Sequence, residues 1–147
     1  MYQHLLVPVD GGDLSNRAIE ASIALAKKLG ASITGFVAEP LPPPPLEAAT
    51  PVAMQRRVMD HDAEVTAHAR AVLDRFEAQA LAAGVPFTAY FDQVPRIDHA
   101  IIAAAETRGC DLIVMVTHGR GAFGEFLFGS ETKAVLAGSK LPLLVLH

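Results

Sequence analysis

Cysteine is nearly absent: Cys110 stands alone in 147 residues, and there is no tryptophan. One thiol builds neither an intramolecular disulfide framework nor a cysteine-based metal site. Basic charge is scarce as well, with 12 Lys and Arg against 16 Asp and Glu, a net charge of −4, and no Lys/Arg cluster. That balance argues against nonspecific nucleic-acid binding, which needs a basic surface. Long apolar runs are also missing. "LIVMV" and "LPLLVL" fall far short of the roughly 20 residues of a membrane span. The opening "MYQHLLVPVD" lacks the basic segment and long apolar stretch of a signal peptide. With 51% hydrophobic and 19% charged residues the chain is not wholesale disordered. A single cytoplasmic domain over 1–147, with no membrane contact, is expected.

What is present is alternation. "HLLVPVD" is a short, almost continuous apolar run, the pattern of a strand covered on both faces. A helix is expected from about Leu14 to Leu29, capped by Asp13 or Ser15. Its inward stripe is Ala18, Ile19, Ser22, Ile23, Ala26 and Leu29, and Gly30 ends it. "ASITGFVA" reads as a second strand closing near Val37. Residues 39–51, "EPLPPPPLEAATP", form a proline-rich surface loop, because proline neither donates to a ladder nor continues a helix. Val58, Val65, Ala69, Val72, Phe76 and Ala80 then mark a helix from about Val52 to Ala83. His61 and His68 on that helix, and His99 later, read as solvated surface histidines without the partners of a metal site.

"VPFTAYF" is a third strand, the segment from Pro95 to Gly109 a third helix, and "DLIVMV" a fourth strand. A short helix from about Ser130 to Ala137 and a last strand, "LPLLVL", complete the pattern. Apolar strands alternating with helices give an α/β fold: a five-stranded parallel sheet with helices on both faces. Ligands in such sheets bind beyond the C-terminal strand ends, where the strand order reverses. The tail of the fourth strand is therefore the place to look.

There the chain reads "MVTHGRGAFGEFLFGSET". Gly119, Gly121 and Gly124 fit the dinucleotide fingerprint, but Phe123, Phe126, Leu127 and Phe128 delay the helix, and no ribose-binding acid ends the next strand. Gly124 and Gly129 fit the glycine spacing of a P-loop, but Ser130 stands where its lysine belongs. Neither motif holds. What remains is a strand end, a glycine-rich loop, and a helix starting at Gly129-Ser130, whose free N–H groups and dipole favour an anion. Ser130 is either a phosphate contact or a plain N-cap. Asp10, at the end of a buried strand, either accepts from ribose hydroxyls or caps the first helix.

"LLVPVDGG", together with "CDLIVMVTHGRGAFGEFLFGSETKAVLAGSKLPLLVL", resembles the universal stress protein family along the whole chain. The resemblance implies a Rossmann-like fold of the adenine nucleotide alpha hydrolase-like kind. Its ATP-binding members carry G-2x-G-9x-G-[ST] after the fourth strand. Gly119, Gly129 and Ser130 match, while Val116 replaces the first glycine. Carried over residue by residue, Pro8, Val9 and Val37 would line the adenine pocket and Asp10 would meet the adenosine. Met115 and Val116 would flank the ribose. His118, Gly119, Arg120 and Gly121 would face the phosphates, with Gly129, Ser130, Glu131 and Thr132 cradling them. The implied ligand is ATP or a related adenine nucleotide, alone or with Mg or Mn, bound by a regulatory stress-response module with no catalytic residue. The alternatives are a slow metal-dependent ATPase and a nucleotide-free dimeric adaptor closed by Val116. Either way the uncharged strand Pro142–Leu146 is expected to pair with its copy in a homodimer.

Overall fold

A computed structural model describes residues 1–42, 44, 47–117 and 129–147. The strands are β1 (His4–Pro8), β2 (Ser32–Pro40), β3 (Phe87–Val94), β4 (Leu112–Val116) and β5 (Leu143–Leu146). They form one parallel sheet in the order β3-β2-β1-β4-β5. The helices between them are α1 (Asp13–Leu29), α2 (Pro51–Ala82), α3 (Ile97–Thr107) and α4 (Ser130–Gly138). Leu5, Val7, Ile33 and Val37 pack with α1 and α2 in one core. Leu6, Phe36, Ile113 and Met115 pack with α3 and α4 in a second. Alternate residues of one strand feed opposite cores, which is why "LLV" had to be apolar throughout.

Several expected details are corrected. Helix α1 starts at Asp13 after an N-cap Gly12 that offers no side chain, so neither Asp13 nor Ser15 caps it. Leu29 is 38% exposed and leaves the predicted stripe; Gly30, with φ of 67°, does end the helix. Val58 is 40% exposed, because the inward face of α2 begins only at Val65. The proline-rich loop is shorter than 39–51. Glu39 and Pro40 extend β2 opposite Gln93 and Val94, and Pro51 opens α2 behind Thr50, whose hydroxyl accepts the Ala53 N–H. Proline fits that first helical position, where its missing N–H is not needed.

Gly35 shows how closely α2 approaches the sheet. A Cβ there would come within 2.5 Å of Phe87 Cζ and 2.9 Å of Phe76 Cδ1. Those two rings, 4.8 Å apart, cover the strand at that point. Only glycine leaves them room.

Candidate functional site

The strand order reverses between β1 and β4, and there the sheet splits. Their ladder is two residue pairs long, Leu5 with Leu112 and Leu6 with Ile113. Each strand stays paired to its outer neighbour to the end, Pro8 with Phe36 and Val116 with Leu146. The cause lies in Pro8. The Val9 N–H donates to the Phe36 carbonyl on the β2 side, whereas the His4 N–H points the other way, to Asp111. By alternation the nitrogen of Pro8 faces β4, and it carries no hydrogen. The ladder therefore stops there, and a crevice opens between the two strand ends.

One wall of this crevice is the β1–α1 turn, organised by Ser15. The buried Ser15 hydroxyl accepts the N–H groups of Asp10 (2.8 Å) and Gly11 (3.0 Å) and donates to Asp10 Oδ1 (2.8 Å). Asp10 Oδ1 also accepts the Gly12 N–H at 2.8 Å. Asp10 thus closes its own turn with one oxygen, while Oδ2 has no protein partner among the described residues and the residue is exposed. Of the two roles read from the sequence, capping α1 is not what Asp10 does, since the N-cap is Gly12 and Oδ1 closes the turn before it; Oδ2 remains open to a ligand. Gly11 adopts φ of 86°, which a side chain would strain.

The other wall comes from α4. A helix that joins two parallel strands starts at the C-terminal edge of the sheet, so Gly129 and Ser130 lie beside the strand ends. The first intrahelical bond runs from the Lys133 N–H to the Gly129 carbonyl, which leaves the N–H groups of Ser130, Glu131 and Thr132 ahead of it. Among the described residues no side chain caps them. Ser130 Oγ instead donates to Glu131 Oε2 at 2.9 Å, and the Thr132 side chain is buried. At Gly129, φ of −56° suits any residue, and no described atom lies within 4 Å of where its Cβ would stand. The fold itself does not demand glycine here.

Between these walls, Val9 and Val37 are buried against the α1–α2 core, and Met115 against α3 and α4. Pro8 is half-buried. Val116, half-buried, packs on the α1–α2 core. His118, Gly119, Arg120 and Gly121 lie outside the described residues, as does Gly124. Among the described residues no three His, Cys, Asp or Glu side chains converge as metal ligands. Cys110 is buried, and burial pushes its thiol up to about 11.

One pairing escaped the sequence reading. His68 is exposed as expected, with 51% of its side chain accessible, yet it bonds Glu39 through Nδ1 at 2.7 Å. Glu39 had been placed in the loop; as part of β2 it falls two residues beyond Val37, on the same inward face. Extending the strand to Pro40 would have revealed an acid at a core-facing position. A separate hollow of about 350 Å³ lies between α3 and the outer strands, lined by Phe36, Tyr90, Asp92, Arg96, His99 and Ala100 among others. It contains none of the residues assigned to the nucleotide site from the sequence.

The profile of the universal stress protein family matches residues 1–147. A universal stress protein of Thermus aquaticus is 34% identical over 148 residues, with both chains covered completely. A solved universal stress protein in complex with cAMP is 23% identical, covers 99% of this chain and 97% of its own, and has a TM-score of 0.67. The universal stress protein from Archaeoglobus fulgidus in complex with dAMP is 16% identical, covers 99% and 98%, and has a TM-score of 0.65. Among the described residues no helix is long and apolar enough to cross a membrane. With the whole chain matched in sequence and in fold, this protein belongs to the universal stress protein family.

Proposed function

We propose that the crevice between β1 and β4 binds ATP or a related adenine nucleotide, and that the chain acts as a regulatory stress-response module rather than a turnover enzyme. The observation that carries this reading is the split ladder at the point where the strand order reverses, with a helix N-terminus beside it that no described side chain caps. Relatives of this fold in complex with cAMP and dAMP favour an adenine ligand. In this reading Pro8, Val9 and Val37 face the base, and Asp10 offers Oδ2 to the ribose. Gly129, Ser130, Glu131 and Thr132 supply backbone donors to the phosphates. The packing of Val116 on the core supports a site that keeps its backbone available despite the missing glycine. Glu131 must release the Ser130 hydroxyl for phosphate to enter. Mg or Mn would be carried chiefly by the phosphates, since no described ligand cluster is poised to hold it.

Calorimetric titration with ATP tests the reading, with Gly129→Val beside wild type. No described atom lies within 4 Å of the Cβ position at Gly129, so the variant is expected to fold, and binding should drop by about tenfold or more as a side chain takes the phosphate's place. A folded variant that binds ATP as tightly as wild type refutes the site. So does wild type that binds no adenine nucleotide.

A further inference from the structure

Glu39 is a costly residue to place where it is. Only 7% of its side chain is exposed, and a carboxylate is withdrawn from water only where partners compensate. Oε1 has such a partner, His68 Nδ1 at 2.7 Å. A carboxylate only accepts, so Nδ1 is the donor. Oε2 has no partner among the described residues. Yet no fully buried side-chain oxygen or nitrogen described in this protein lacks one. Oε2 is therefore not fully enclosed.

Glu39 lies close to residues of the proposed nucleotide site. Glu39 follows Val37 on the same face of β2. The far edge of the His68 ring rests on the β1–α1 turn, where a Cβ on Gly11 would stand 3.0 Å from Nε2. Asp10 is the next residue back along the chain. A buried acceptor with one committed and one uncommitted oxygen, between the base-facing Val37 and the Asp10 turn, selects for a hydrogen-bond donor.

We infer that Glu39, held in place by His68, accepts a hydrogen bond from the exocyclic amino group of a bound adenine and so sets the choice of base. The inference rests on the nucleotide reading above and adds to it a residue that discriminates. An amino group at the purine 6-position donates to the carboxylate. A 6-oxo group brings lone pairs against lone pairs and leaves a buried acceptor unmet. His68 is a positioning residue: it fixes which oxygen of Glu39 is left free.

Titration of the full chain with ATP and with ITP, which differ at the purine 6-position, tests this. Wild type should prefer ATP by about tenfold or more, the scale of one unmet buried hydrogen bond. Glu39→Gln is isosteric and can donate as well as accept, so the preference should shrink to within about threefold. His68→Ala should narrow it likewise, and His68→Asn, which returns an amide nitrogen near the Nδ1 position, should restore it. Equal binding of ATP and ITP by wild type, or an undiminished preference in Glu39→Gln, overturns the inference while leaving nucleotide binding intact. Wild type that binds neither nucleotide overturns the nucleotide reading, and this inference with it.

Discussion

Ser15→Ala removes one oxygen atom and three hydrogen bonds. In wild type the Ser15 hydroxyl accepts from the Asp10 and Gly11 N–H groups and donates to Asp10 Oδ1, at 2.8, 3.0 and 2.8 Å. Three such bonds, each worth about 0.5–1.5 kcal/mol net, set an upper range of about 1.5–4.5 kcal/mol. Two effects reduce it. Asp10 and Gly11 are exposed, so water can replace part of what is lost, and alanine gains about 0.5 kcal/mol of helix propensity over serine. The expected loss is about 2 kcal/mol, or a fall in Tm of about 6–8 °C in a chain of this size. Because Asp10 keeps only its bond from Gly12, its turn loses preorganisation, and ATP affinity should fall about five- to tenfold. Urea denaturation measures the first effect and calorimetric titration the second. A stability loss below about 0.5 kcal/mol, with ATP binding unchanged, would show that this network organises nothing.

Gly35→Ala should destabilise the fold by about 1–3 kcal/mol in urea denaturation, because its Cβ would collide with Phe87 and Phe76; no loss would contradict the close α2–β2 packing. Burial pushes the Asp111 carboxyl up, but the N–H groups of Gln3 and His4 outweigh it and hold it below its ordinary 3.8. A depressed carboxyl contributes stability above its unfolded value and loses it as the pH falls through the folded one. Asp111→Asn should therefore cost stability at neutral pH and flatten the decline below about pH 4, in melts taken across pH. At the β5 edge, where Leu143–Leu146 are all half-buried, Val145→Lys should turn a dimer into a monomer in sedimentation. Wild type that is monomeric at micromolar concentration removes that interface.

The order of strands and helices was legible because burial on both faces forces continuous apolar runs, and "HLLVPVD" and "DLIVMV" have no other use. The ends of elements were not. Proline in "EPLPPPPLEAATP" signalled a loop, but its first residues pair with β3, a long-range contact that composition does not encode. Helical periodicity brought Val58 and Leu29 inward, although one precedes the stretch of α2 that reaches the sheet and the other is the last residue of α1. In the site, Asp10 and Gly129-Ser130 were visible as polar and glycine residues breaking apolar runs. Ser15 was not, because its hydroxyl reaches back across a turn instead of capping its own helix. Glu39 and His68 are 29 residues apart and meet only once α2 lies on β2.

The most direct test of the central claim is a titration of isotopically labelled protein with ATP, followed by backbone amide shifts. The account predicts that the largest changes fall on Val9–Asp10 of β1, on Met115–Val116 of β4, and on Gly129–Thr132 at the start of α4. Changes centred instead on the Phe36–Tyr90 hollow beside α3, or no changes at all at saturating ATP, would contradict it.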